Sequence, residues 1–378
     1  MPAATTGTVA LSDFNKYEAS IRADVIAKKI TYAKYQDELN AKAHSLLSGV
    51  NIANEEAAEC NGWATLYDVA HEPKEAESAW SKYLTSNPAE PNLFNAKTSL
   101  ANDQLTLNQT DDAKATVAGI QISDQNSANG ISQLESQIAD AIATKDGAAV
   151  GDDYLQAQMK AFPFAKYDAD GTNLDAFTEE RASLLQQENK NDEAKQIVQD
   201  ALAKIPKTSP AFSGLQALNS RTSLYGSQAP ELKVTNQYGD YTSLANLKGK
   251  VVVLDFFAHW CPPCRASMPD MHKMTGDLAT QGLQVIGVTG YYGYYFDKRN
   301  ISKTEEYADM KPFMKQYEID HPVVYIAQKD FANYGANGIP EFVLIDRTGT
   351  VRDIQVGYDA PSFATFRKQV ESVLAEKS

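Results

Sequence analysis

Two textures of apolar spacing divide the chain. From about residue 12 to 220, apolar positions recur every three or four residues among Ala, Gln, Asn, Lys and Glu. That is the period of amphipathic helices. Residues 14–47 read as one or two long helices. After 230 the period changes. Val251-Val252-Val253-Leu254-Asp255-Phe256-Phe257 is a short β-branched and aromatic run, as in a strand buried on both faces. Leu283-Gln284-Val285-Ile286-Gly287-Val288-Thr289 is a second. Phe342-Val343-Leu344-Ile345-Asp346 and Val351-Arg352-Asp353-Ile354 flank a turn at Thr348-Gly349 and predict a hairpin. Helical patterns at 263–280, 304–317 and 361–375 separate or follow these strands, and the alternation predicts an α/β sheet. Between the textures, Lys207-Thr208-Ser209-Pro210 and Gly226-Ser227-Gln228-Ala229-Pro230 carry the Pro, Gly and Ser of connecting segments. The expected organisation is an all-helical part over 1–220, a linker over 221–229, and an α/β part over 230–378.

Within the helical part a repeat can be counted. Trp63, Leu66, Ala79, Tyr83 and Pro91 sit at helix-hairpin intervals. Leu100, Ala113 and Val117 follow at the matching positions. A degraded unit has Leu134, Tyr154 and Pro163, and a later one has Ala182, Leu185, Ala194, Val198 and Pro206. Small alanines let antiparallel helices approach, larger residues fill the seam, and proline ends the second helix. This part resembles tetratricopeptide repeats. Such repeats offer a concave surface for a partner. The plainer reading is a structural spacer or a dimer platform.

Length and charge narrow the field. At ~150 residues per domain, 378 residues make two or three domains. With 35 Lys+Arg against 49 Asp+Glu, the net charge of −14 argues against nucleic acid as a partner. A hydrophobic fraction of 43 % excludes a wholly disordered chain. Three cysteines exclude a disulfide-dense mini-protein. No apolar run approaches the ~18 residues of a membrane-spanning helix. The opening Met1-Pro2-Ala3-Ala4-Thr5-Thr6-Gly7 lacks a basic and then apolar leader. It fits a cytoplasmic protein or an exported one whose signal is absent here.

The chemistry concentrates in Trp260-Cys261-Pro262-Pro263-Cys264-Arg265, directly after the first buried strand and opening a helix. Half a zinc site would need further Cys or His ligands at similar spacing. Cys60 lies far away in the helical part, where it reads as an ordinary helix residue without redox work, and His259 is too local to complete a site alone. No metal is therefore expected. A static staple gains little from so short a loop. A redox pair fits the context. The helix points free N–H groups and its positive end at Cys261, which favours the thiolate. Pro262 and Pro263 suit a helix start. Cys264 lies one turn inward and should be less exposed. Cys261 would attack a disulfide and Cys264 would resolve the adduct.

Asp255-Phe256-Phe257-Ala258-His259-Trp260-Cys261-Pro262-Pro263-Cys264-Arg265, with Pro269 beyond it, resembles the thioredoxin superfamily, and more closely its TlpA-like thiol–disulfide oxidoreductases. Ala229-Pro230-Glu231-Leu232 with Leu247-Lys248-Gly249-Lys250 resembles the start of that branch. Gly338-Ile339-Pro340-Glu341-Phe342-Val343 resembles its cis-proline segment. The resemblance covers roughly 226–378. It implies a cis Ile339-Pro340 bond facing the cysteines, with the backbone before Pro340 pairing with the client. It implies that Asp255 is a buried acid exchanging a proton with Cys264. Ser267 stands where the branch often has glutamate, and Asp255 would take over that role. Glu341, unusual after the cis-proline, would add negative charge near the site.

Tyr291-Tyr292-Gly293-Tyr294-Tyr295-Phe296 follows the second strand. It reads either as an aromatic lip beside the cysteines or as rings packed on the helical part. The expected substrate-facing set is Trp260, Pro262, Pro263, Ile339, Glu341, Tyr291 and Tyr292. The leading function is disulfide reduction or exchange in client proteins, with the redox disulfide as the only cofactor and the repeats as a docking surface. The resemblance further implies an exported, periplasmic setting and an upstream thiol donor, which a membrane protein would supply. The competing reading is a repeat-based binding scaffold in which the α/β part is regulatory. A peroxidase is weaker, since peroxide reduction needs no Trp-Cys-x-x-Cys pair.

Overall fold

The computed structural model describes residues 5–26, 32–296 and 298–376. The opening residues 1–4, on which the expectation about a leader falls, lie outside these residues. Two compact units divide the chain, Met1–Glu188 and Asn189–Ser378. Among the described residues no helix is long and apolar enough to cross a membrane.

Among its described residues the first unit holds helices and no strand. The 14–47 pattern resolves into Gly7–Ile26 and Tyr32–Leu47. Consecutive helices then pair: Cys60–Val69 with Pro73–Leu84, Asn92–Thr106 with Thr110–Ala118, and Gln125–Asp146 with Ala148–Ala161. Their starts are written locally. Pro73 occupies the first helical position, where its missing N–H costs nothing. Asp124 and Ser127 cap each other reciprocally ahead of the helix Gln125–Asp146. Trp63, Leu66, Ala79, Tyr83, Ala113 and Val117 are all buried, so the counted seam positions are core positions.

The second unit is built on a sheet. Its described strands are β1 (Asn236–Tyr238), β2 (Val251–Phe256), β3 (Leu283–Thr289), β4 (Tyr294–Tyr295), β5 (Lys298–Arg299), β6 (Val323–Tyr325), β7 (Glu341–Ile345) and β8 (Val351–Val356). The main sheet has the order β1-β6-β3-β2-β7-β8. β2, β3 and β6 run parallel, while β7 is antiparallel to β2 and β8 to β7. β2 is buried along its whole length, as its unbroken apolar run requires. Alternation sorts its side chains. Val251 and Val253 pack on Met271 and Met274 of the helix Pro262–Leu278. Val252, Leu254 and Phe256 face the opposite layer, with Leu224, Phe331 and Tyr334.

That opposite layer corrects the expected linker. The helices Asn191–Lys204 and Pro210–Leu224 belong to the sheet unit. The 221–229 stretch is not a free connector, because its backbone pairs with the start of β8. Gly226 N–H donates to the Val351 carbonyl at 2.8 Å, Val351 N–H to Ser227 at 2.9 Å, and Ala229 N–H to Gly349 at 2.9 Å. The helix Pro210–Leu224 also closes on the turn before the cis-proline segment. Arg221 donates to the Gly335 carbonyl at 3.2 Å, and Asn337 to the Ser213 carbonyl at 3.3 Å. A Cβ on Gly335 would sit 2.5 Å from the Ala217 carbonyl oxygen, and its φ is +75°. Both the backbone angle and the space demand glycine. Gly335→Ala is therefore expected to lower the unfolding free energy by roughly 1–3 kcal/mol, read as a lower urea midpoint at unchanged slope.

Candidate active site

The helix Pro262–Leu278 begins at Cys261, whose extended backbone makes it the N-cap, with prolines in the first turn. Cys264 N–H points at Cys261 Sγ from 3.2 Å. The two cysteines are joined as a disulfide. Opposite them, the Ile339–Pro340 peptide is cis, and the Ile339 carbonyl oxygen lies 3.5 Å from Cys261 Sγ. Two distant stretches of chain thus meet at one sulfur. The expected contrast in exposure between the cysteines is corrected: Cys261 is 2 % and Cys264 1 % exposed. Both sit in an apolar cluster with Phe257, Met268, Met310 and Phe313, and the half-buried Ile339, Tyr291, Tyr292 and Tyr295 pack against it. Pro262 and Pro263 remain exposed, and Trp260 stands at the rim.

Asp255 occupies β2 one residue before its end. Alternation places it on the face of Val251 and Val253, the face covered by the cysteine-bearing helix. It is buried and its Oδ1 has no hydrogen-bond partner. Burial pushes its carboxyl up to about 7. Glu341 is placed differently from the expectation. It opens β7 opposite Phe256, and alternation aims it with Val343 and Ile345 at the layer away from the cysteine-bearing helix. It is fully buried, and neither carboxylate oxygen has a hydrogen-bond partner. Burial pushes it up to about 8, partly offset by Arg221. A side chain sealed there cannot meet a client, so Glu341 leaves the substrate-facing set. Ser267 is buried and donates to the Cys264 carbonyl at 2.8 Å.

The tyrosine-rich segment after β3 packs over the cysteine end of its own unit. Tyr292 stands perpendicular to Trp260, with ring centroids 5.4 Å apart. Tyr291 turns instead to stack on Tyr325 at 4.5 Å. Pattern reading missed the two polar groups beneath this segment. His259 is fully buried among Tyr292, Tyr294, Tyr295 and Phe296, and desolvation pushes its imidazole down to about 4, so it is neutral. Its Nε2 lies 3.6 Å from Glu306 Oε1. Adjacency to Trp260-Cys261 was the only signal for His259, and Glu306 had none. Cys60 is buried in the first unit, and its Sγ donates to the Glu56 carbonyl at 3.4 Å. Among the described residues no group of three or more His, Cys, Asp or Glu is placed to hold a metal ion.

A parallel core flanked by an antiparallel hairpin, with a cysteine pair capping a helix and a cis-proline opposite, defines a thioredoxin-type disulfide protein. The Redoxin family model matches residues 224–374. The thioredoxin-like protein YneN of Bacillus subtilis is 31 % identical over 132 residues, spanning 35 % of this chain and 71 % of that protein. The thiol-disulfide oxidoreductase ResA of Bacillus anthracis is 32 % identical over 133 residues, spanning 35 % and 69 %. A solved thiol:disulfide interchange protein from Chlorobium tepidum aligns at 27 % identity over 39 % of this chain and 98 % of its own, with a TM-score of 0.30. The chain belongs to the thioredoxin-like thiol–disulfide oxidoreductases.

Proposed function

We propose that the sheet unit reduces disulfides in client proteins through Cys261 and Cys264. The observation that carries this reading is the convergence at Cys261 Sγ of a helix N-terminus and the Ile339 carbonyl 3.5 Å away. In the reduced protein the Cys261 thiolate attacks one client sulfur. A mixed disulfide forms, and the first client thiolate leaves. Cys264 gives its proton to Asp255 and attacks Cys261 Sγ. The Cys261–Cys264 disulfide re-forms, and the second client thiolate leaves. Two electrons pass to the client, and the cysteine pair is the only carrier needed. An upstream thiol donor must then return two electrons. Trp260, Pro262, Pro263, Ile339 and Tyr292 frame the client chain, whose backbone pairs beside Pro340. Tyr291 supports that wall from its stack on Tyr325. The helical unit serves as the docking surface for a client or donor, and the setting is extracytoplasmic, where client disulfides form.

The test is the reduction potential of the pair, by equilibration in glutathione or dithiothreitol buffers with thiol trapping. A value near ~−270 mV is expected for a reductant. A value near ~−120 mV would reverse the assigned direction of electron flow.

A further inference from the structure

We infer that Glu306 is a positioning residue that latches the tyrosine loop 291–296 against Trp260 and thereby sets which disulfides reach Cys261. The inference rests on the disulfide-reductase reading above and deepens it. Glu306 lies in the first turns of the helix Lys303–Gln316 and is only 1 % exposed. A carboxylate buried so deeply needs strong partners. It finds them in the loop backbone. Tyr292 N–H donates to Oε1 at 2.8 Å and to Oε2 at 3.1 Å, and Gly293 N–H donates to Oε2 at 2.9 Å. Charge-assisted bonds of this kind are the strong ones. The base of the loop closes through Ile301 N–H to the Gly293 carbonyl at 3.1 Å.

The latch reaches the cysteines by two routes. Tyr292, fixed by its own N–H, sets its ring at 90° to Trp260, the neighbour of Cys261. Beneath it, His259 fills the space between Glu306 and the loop rings. Arg265 then ties that layer to the cysteine-bearing helix. It donates to the His259 carbonyl at 3.0 Å and lies 5.6 Å from the Phe296 ring. The loop is thus held at both ends of the Cys261 rim, and its Tyr291, Tyr292 and Tyr295 pack against the cluster in which Cys261 is 2 % exposed. Without the carboxylate, the Tyr292 and Gly293 N–H groups lose their acceptor and the loop loses its anchor.

The test uses the full chain, reduced, with Glu306→Ala, Glu306→Gln and Tyr292→Ala. Rates are measured with a bulky probe, the insulin disulfides, and a small one, glutathione disulfide. In each the thiolate forms one S–S bond and releases one thiolate. Glu306→Ala is expected to raise the insulin-to-glutathione rate ratio roughly tenfold. Glu306→Gln keeps one acceptor oxygen and should fall between Glu306→Ala and the parent. Tyr292→Ala removes the ring but not the latch, and should raise the ratio too. An unchanged ratio in a folded Glu306→Ala overturns the inference. Should that variant not fold, unchanged ratios in Glu306→Gln and Tyr292→Ala overturn it equally. A parent protein that reacts with neither probe defeats the reductase reading instead.

Discussion

Cys261→Ser is expected to bring disulfide turnover down to the uncatalysed background, whereas Cys264→Ser should stop the protein halfway, covalently joined to its client. The asymmetry follows from the helix. Only Cys261 sits at the N-cap, where the Cys264 N–H approaches its sulfur at 3.2 Å and the helix N-terminus favours negative charge. A serine hydroxyl there is far too weak an acid to supply the nucleophile. Cys264 lies inside the first turn and is 1 % exposed, so in the proposed mechanism its work is to expel the client. Without it the mixed disulfide has no intramolecular exit. The adduct should run on a non-reducing gel at the summed mass and vanish with dithiothreitol. Turnover that persisted in Cys261→Ser would remove the reductase reading. A partner that still bound Cys261→Ser normally would show that the helical unit holds partners independently of the chemistry.

The second large effect concerns Asp255. A carboxyl held at about 7 by burial keeps its proton long after the unfolded chain has lost its own, near pH 4. Between those values the unfolded state binds fewer protons, so stability falls as pH rises. The penalty is complete above pH 7 and is on the order of 4 kcal/mol. Asn cannot ionise, but its buried amide forfeits some of that gain. Asp255→Asn should therefore stabilise the fold by roughly 1–3 kcal/mol at pH 8 and change little at pH 4.5, in urea unfolding at each pH. The same substitution should slow the resolution step, because it removes the proton acceptor proposed for Cys264. A stability difference that does not change with pH would sink the argument. Comparing variant with parent matters, since Glu341, pushed up to about 8, adds its own slope to both.

The sheet was legible because fully buried strands have a composition of their own. The run 251–257 became β2 and 283–289 became β3, and the turn at Thr348-Gly349 joins β7 to β8. The three predicted helices appear as Pro262–Leu278, Lys303–Gln316 and Ala360–Ala375. The cis bond at Pro340 came through resemblance, not periodicity. What stayed hidden depends on contacts between distant segments. Glu341 looked like a residue of the substrate face because it follows the cis-proline, but strand alternation turns it to the other layer. Glu306 reads as an ordinary helix-start acid beside Glu305, and only the return of the loop at 292–293 makes it an internal anchor. Asp255, like the cis bond, came through resemblance, and its place in an apolar strand agrees with the burial observed.

The pairing of 226–229 with β8 decides where the sheet unit can be cut. A fragment beginning at 230 would remove Leu224 from the layer it shares with Phe331 and Tyr334. It would also strip the Gly226, Ser227 and Ala229 bonds from Gly349 and Val351, at the start of the edge strand β8. Bare strand edges recruit other chains, so such a fragment carries its own template for aggregation. The short Gly-Ser-Gln-Ala-Pro stretch, which in sequence looks like spare length, is in this fold the hem that keeps one molecule from joining the next.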